Sequence, residues 1–164
     1  MQKIATKLDL VAIANEIESI KFWLDGSGAM MSIGQSKGFP PEIIYKTGIK
    51  AAVDEIGQFR NQVPLNLMIN RLPPKIIVPK HQDFLNPTQY QPVQPTIERW
   101  HLPLITNPDS LWWDEVEGEF HMEPGFWWGP TPYWKLHSIS NHGTIERIHL
   151  IVDLDSPFPL GSYK

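Results

Sequence analysis

The run His137-Ser-Ile-Ser-Asn141-His142-Gly143-Thr-Ile-Glu-Arg147-Ile-His149-Leu-Ile-Val-Asp153 decides the architecture. Asn141, His142 and Gly143 form a turn signal, since Asn and Gly tolerate positive φ. The segments on either side, Tyr133–Ser140 and Ile145–Asp153, read as strands. Successive residues of a strand point to opposite faces, so Ile145, Arg147 and His149 share one side. If that side is turned inward, the guanidinium of Arg147 requires an anion, because a buried unpaired charge is costly.

Working outward, the same texture extends back to Val63. Leu65–Arg71, Lys75–His81, Ile97–Leu104, Leu111–Val116 and Glu119–Glu123 are short strand-like runs. Pro73-Pro74 and Asn107-Pro108 punctuate them, and no helical periodicity interrupts. Many short strands with ordered turns predict a mainly β sandwich or barrel. Residues before this region behave differently. Leu10, Val11, Ile13, Ala14, Ile17 and Ile20 recur at helical spacing behind Asp9, a candidate N-cap, predicting a helix over Leu8–Ile20. Tyr45, Ile49, Val53, Ile56 and Phe59 predict a second helix over Pro41–Phe59. Between them, Lys21–Leu24 and Met30–Ile33 read as short strands around the Asp25–Gly28 turn. The expected organisation is one domain over residues 1–164, with a helical N-terminal part (1–62) packed on a β core (63–155).

Composition narrows the chemistry. The 164 residues include no cysteine, which excludes disulfide frameworks, iron–sulfur clusters and thiolate zinc sites. Any metal must be held by nitrogen and oxygen. The formal charge is −4 and the lysines and arginines are scattered, so no nucleic-acid partner is expected. No apolar run approaches the roughly 20 residues of a membrane span, and the first residues lack a clean signal-peptide core, so no membrane partner and a cytoplasmic location are expected. Sixteen prolines fit turns and strand edges, and seven tryptophans are many for this length.

Three i, i+2 patterns carry polar pairs on a single strand face: His81-Gln-Asp83, Arg99-Trp-His101 and Arg147-Ile-His149. His81 and Asp83, joined by a histidine from a distant strand, would make a facial triad with three metal positions left open. Such open positions suit an oxygen-activating iron.

The closing run resembles the H-x-V-x-N-x-G-x-x-x-R-x-H-L-I-x-D signature of the aspartyl/asparaginyl β-hydroxylase family. Ile76-Ile-Val-Pro-Lys-His81-Gln-Asp83 is similar to that family's first metal segment, and Arg99-Trp-His101-Leu-Pro-Leu104 to its R-x-H-x-P-L block. Order and spacing agree in all three blocks, over about Leu65 to Asp153. The resemblance implies a double-stranded β-helix, a jelly-roll, cupin-like fold. It also implies an Fe(II)- and 2-oxoglutarate-dependent dioxygenase that hydroxylates an amino acid or a peptidyl Asp/Asn-type residue. Its partners would be that small-molecule or peptide substrate and dioxygen, with 2-oxoglutarate decarboxylated to succinate.

Carried over to these residues, the resemblance makes His81, Asp83 and His137 the metal ligands. Arg147 becomes the grip on the far carboxylate of 2-oxoglutarate, a task suited to the planar guanidinium fork. His101 lies beside the cosubstrate, and Arg99 near the cosubstrate or an acidic substrate group. No residue beyond the metal ligands is expected to be catalytic. His149, on the face of Arg147, supports it or sits in the core. The segment Phe84–Glu98 is longer than the family's usual link and is a candidate lid or specificity loop. Trp112, Trp113, Trp127, Trp128 and Trp134 either pack or wall a pocket mouth, with Trp128 the candidate substrate contact. Two other readings remain open here: a non-catalytic cupin-like binding domain, and a metal-dependent hydrolase or isomerase on the same scaffold. Arg147 would have no evident duty in the second.

Overall fold

The structure is a computed structural model that describes residues 1–19, 30–34, 47–83, 97–131 and 134–155. In chain order the elements are β1 (Gln2–Ala5), α1 (Leu10–Ser19), β2 (Met30–Gly34), α2 (Thr47–Arg60), β3 (Val63–Leu72), β4 (Ile77–His81), β5 (Ile97–Ile105), β6 (Ser110–Asp114), β7 (Gly118–Phe120), β8 (Phe126–Thr131), β9 (His137–Asn141) and β10 (Arg147–Asp155). The expected strand Lys21–Leu24, the Asp25–Gly28 turn, residues 41–46 of the helix expected from Pro41, and residues 84–96 of the candidate lid lie outside the described residues.

Two antiparallel sheets result. The larger runs β1-β8-β5-β10-β3-β2 and the smaller β4-β9-β6-β7. This is the mainly β, double-stranded β-helix expected from the sequence. Antiparallel sheets allow one face to be apolar and the other polar, and the larger sheet uses that freedom. Ile148, Leu150, Val152 and Leu154 of β10 join Trp100, Leu102 and Leu104 of β5 and Leu67 and Ile69 of β3 on one face. Ile13, Ala14 and Ile17 of α1 and Ile49, Ala52 and Ile56 of α2 close over it. Their i, i+3, i+4 and i+7 spacing gives each helix a single apolar stripe. Phe59, placed on that stripe by periodicity, is instead 53% exposed, and in the last turn it is Arg60 that faces the sheet, bonding Glu98 of β5 at 2.9 Å. Asp9 caps α1 as expected, its Oδ1 accepting the Ala12 N–H at 3.0 Å.

The opposite face of β10 carries Arg147, His149, Ile151 and Asp153. Register sets Arg147 beside Leu72, His149 beside Asn70 and Pro103, Ile151 beside Met68 and His101, and Asp153 beside Arg99. This face looks toward the smaller sheet. Ile145, expected inward with Arg147, precedes β10 and is 49% exposed.

Three features differ from the sequence reading. β8 follows Gly125 and contains Gly129-Pro130, punctuation that reads as loop, yet it pairs with both β1 and β5. β1 and β2 come from the first 62 residues but are edge strands of the larger sheet, so the sheet crosses the expected boundary at 62/63. Asn141 and Gly143 do not turn through positive φ. The Asn141 side chain instead ties the chain together: its Nδ2 donates to the carbonyls of Leu72 and Ile145, at 3.0 and 2.8 Å, and its Oδ1 accepts the Gly143 N–H. Gly143 is required for space, since a Cβ there would lie 2.1 Å from Asn107 Oδ1. Among the described residues no helix is long and apolar enough to cross a membrane.

Candidate active site

β4 and β9 pair with a register shift between Val78 and His81, and the shift sets His81 opposite His137. The two rings stand 4.4 Å apart, centroid to centroid. Each has its Nδ1 against a backbone carbonyl, that of Pro79 for His81 at 2.7 Å and that of Lys135 for His137 at 2.9 Å. A carbonyl can only accept, so Nδ1 carries a proton, and the tautomer so fixed presents the Nε2 lone pair when a metal binds. Both Nε2 atoms turn to Asp83, at 3.2 Å from Oδ1 and 3.7 Å from Oδ2. The three ligand atoms all lie within 4.8 Å of one another. Orienting a ligating imidazole through its other nitrogen is how proteins prepare a metal site.

Trp112 of β6 stacks flat on His137, with centroids 4.8 Å apart and planes at 9°. Its indole N–H donates at 2.7 Å to Asp114 Oδ2, which is fully buried. The other Asp114 oxygen accepts the amides of Val116 and Glu117. Burial lowers the His137 pKa, opposed in part by the Lys135 carbonyl and the Asp83 carboxylate.

A cavity of about 260 Å³ opens between the sheets. Its walls include Asn70, His81, Asp83, His101, Trp112 and His137. The volume suits a small ligand, toward the lower end of small-molecule pockets. Behind Asn70 lies Arg147, 2% exposed. Its Nη1 donates to Asn70 Oδ1 at 2.5 Å and its Nη2 to His149 Nδ1 at 2.7 Å. Among the described residues no carboxylate pairs with it, and burial pushes its pKa down to about 9. Because His149 Nδ1 accepts, its Nε2 carries the proton, and that buried N–H has no partner among the described residues. His101 Nδ1 is likewise buried without a partner among the described residues, while its Nε2 lies 3.3 Å from Thr131 Oγ1. Burial, reinforced by Arg147, holds both histidines well below the ordinary histidine range, so both are neutral at pH 7.

The site residues named from sequence thus divide. His81, Asp83 and His137 meet, and His101 lines the same cavity with Arg147 and His149 behind its wall. Arg99 faces carboxylates of its own chain. It holds Asp153 through Nε and Nη2, at 2.7 and 3.0 Å, and donates Nη1 to Asp83 Oδ2. Trp128 stands away from the cavity wall. Its indole donates to the Glu123 carbonyl and its ring stacks on Phe120. Among the described residues, Trp112 is the tryptophan that lines the cavity. Asn70, Asp114 and Asp153 were not singled out as site residues, although each is a polar residue within or ending a strand-like run. Asp153, read as a polar strand end, is 1% exposed.

Two nitrogens and one carboxylate oxygen fit a borderline divalent ion with open positions, and the donor set suits non-haem iron(II). The orphaned His149 N–H, the orphaned His101 nitrogen and the unpaired guanidinium fit the charged end of a small dicarboxylate.

Residues 49–157 match the Aspartyl/Asparaginyl beta-hydroxylase family. The chain belongs to that family. No curated protein sequence matches it. Similar solved structures include a viral collagen prolyl hydroxylase from Paramecium Bursaria Chlorella virus-1, at 13% identity and TM-score 0.61 over 96% of each chain. A Pseudomonas putida prolyl-4-hydroxylase gives 14% identity and TM-score 0.53, over 96% of this chain and 92% of that one. AviO1 from Streptomyces viridochromogenes Tue57 gives 11% identity and TM-score 0.53, over 90% and 84%. At these identities the likeness is one of fold, and it covers the larger part of each molecule.

Proposed function

We propose that this family member is an Fe(II)- and 2-oxoglutarate-dependent dioxygenase that hydroxylates an amino acid or a peptidyl Asp/Asn-type residue. The observation that carries the reading is the juxtaposition of a preoriented His-Asp-His cluster with a buried guanidinium that has no carboxylate partner among the described residues. A metal-binding module or a hydrolase has use for the first and none for the second. That the viral prolyl hydroxylase of similar fold was solved as a 2OG complex supports the choice of dicarboxylate.

His81, Asp83 and His137 would hold the metal through Nε2, one carboxylate oxygen and Nε2. Iron(II) and 2-oxoglutarate together would supply the dioxygen chemistry, with a substrate C–H bond hydroxylated and 2-oxoglutarate released as succinate and carbon dioxide. The protein's own work is orientation. Arg147 and the His149 N–H receive the far carboxylate, and His101 borders it. Trp112 and Asp114 keep the His137 ring from turning. The apolar side chains of Ile139 and Ile151 limit water in the cavity.

Succinate formation from 2-oxoglutarate under air with iron(II), screened for stimulation by free amino acids and peptides, tests the proposal. We expect turnover that needs both iron and oxygen and rises with the right substrate. No succinate under any of these conditions overturns it.

A further inference from the structure

Asp83 reaches the cluster from the end of β4, and its side chain remains one-third exposed. A carboxylate so placed turns freely about its side-chain bonds and can offer a metal one oxygen or both. Here it is held. Arg99 Nη1 donates to Oδ2, while Oδ1 is the oxygen closer to a histidine nitrogen, 3.2 Å from His81 Nε2. Arg99 is itself fixed. Its side chain is 5% exposed, and a bidentate contact locks it to Asp153, which is 1% exposed. Register explains the pairing, since Arg99 on β5 lies beside Asp153 on β10. Asp153 also answers the desolvation of a buried guanidinium, so Arg99 does not depend on Asp83 for its counter-charge.

We infer that Asp153 and Arg99 form a clamp that positions the metal-ligating carboxylate, engaging Oδ2 so that Asp83 gives the metal a single oxygen. The inference rests on the reading of His81, Asp83 and His137 as metal ligands. It makes Arg99 a positioning residue and reassigns it from the place near the cosubstrate or an acidic substrate group that the resemblance implied. A ligand limited to one oxygen leaves three positions open for cosubstrate and dioxygen, whereas a two-oxygen carboxylate would take one of them. It also removes Arg99 as a cation for an acidic substrate, so recognition of such a substrate falls to other groups.

Manganese(II) binding, followed by calorimetry and electron paramagnetic resonance without cosubstrate, tests this apart from turnover. Arg99→Gln is expected to weaken manganese binding by about 10-fold or more, the usual effect of removing a group that orients a metal ligand. Arg99→Lys, which keeps a charge without the fork, should recover part of the loss and serves where the glutamine variant folds poorly. The decisive comparison is made in an Asp83→Ala background. If Arg99 acts through Asp83, Arg99→Gln adds no further loss there, whereas a general disturbance of the fold adds its full effect. Unchanged manganese affinity in Arg99→Gln, or equal losses with and without Asp83, overturns the clamp. A wild-type protein that binds no manganese would overturn the metal-site reading, and the clamp with it.

Discussion

A guanidinium sealed inside a protein needs an acceptor for each N–H withheld from water, and Arg147 has two among the described residues, Asn70 and His149. A guanidinium offers five donors, so among the described residues the site is undersupplied with acceptors and has no counter-charge. A dicarboxylate would provide both. Arg147→Ala should therefore weaken 2-oxoglutarate binding while leaving metal affinity nearly intact. Loss of a buried charge-assisted contact costs about 2–5 kcal/mol, roughly 30-fold or more in Kd. Arg147→Lys should restore only part, because an ammonium lacks the fork. Anaerobic calorimetry on manganese-loaded protein measures this, and an equal Kd for Arg147→Ala and wild type would end the assignment. Of this site, the i, i+2 spacing by itself showed His81 with Asp83 and Arg147 with His149 on one strand face, whereas the choice of His137 and the duty given to Arg147 came from the family resemblance. Asn70, Asp114 and Asp153 were hidden, since their partners lie 77 (Arg147–Asn70) or 54 (Arg99–Asp153) positions away, or depend on which face of β6 meets β9.

At the scale of elements, the strands from Val63 onward were legible because hydrophobic runs and turn signals alternate. β8 was not, because Gly129-Pro130 mimics a loop. The glycine there has a packing reason, as a Cβ would fall 2.6 Å from the Trp100 ring. Nor could periodicity show how the helices lock together. The Glu16 carboxylate of α1 accepts the amides of Gly48 and Ile49, at 3.0 and 3.1 Å, and so caps α2 from outside. These first-turn N–H groups have no partner within their own helix, and a negative charge suits that end of the helix dipole. Glu16→Ala should cost about 1–2 kcal/mol of stability, the range for loss of a cap. Glu16→Gln, which retains an acceptor without the charge, should cost less. Urea unfolding checks both, and the idea fails if Glu16→Ala unfolds at the wild-type midpoint.

The whole molecule joins two surfaces of opposite character across one sheet. One face of β10 is sealed under the helices; the other holds the buried polar groups Arg147, His149 and Asp153. That second face gives folding a pH dependence. His101 and His149 are held well below 6.5 by burial, with Arg147 next in effect. A base with a depressed folded pKa stays neutral in the folded protein while the unfolded chain takes up protons. Stability therefore falls as pH drops through the unfolded value near 6.5, and levels off only below the folded values. Each histidine contributes about 1.4 kcal/mol per pH unit inside that window, so the pair approaches about 3 kcal/mol per unit. Glu98 acts in a separate, lower range. Burial opposes its charged form, but hydrogen bonds from Arg60 and Trp100 outweigh this and lower its pKa from 4.5, so its contribution is lost only in stronger acid. Urea unfolding of metal-free protein between pH 7 and 5 should thus show a steep loss beginning near 6.5, before the carboxylates titrate. Replacing His149 by Gln should flatten the slope clearly without abolishing it, since His101 and, less strongly depressed, His137 then remain to take up protons on unfolding. Bound 2-oxoglutarate should add stability by mass action without removing the slope. Stability that stays level from pH 6.5 to 5 in the wild-type protein would mean that the two histidines are charged or solvated in the folded state, contrary to the buried cluster around Arg147.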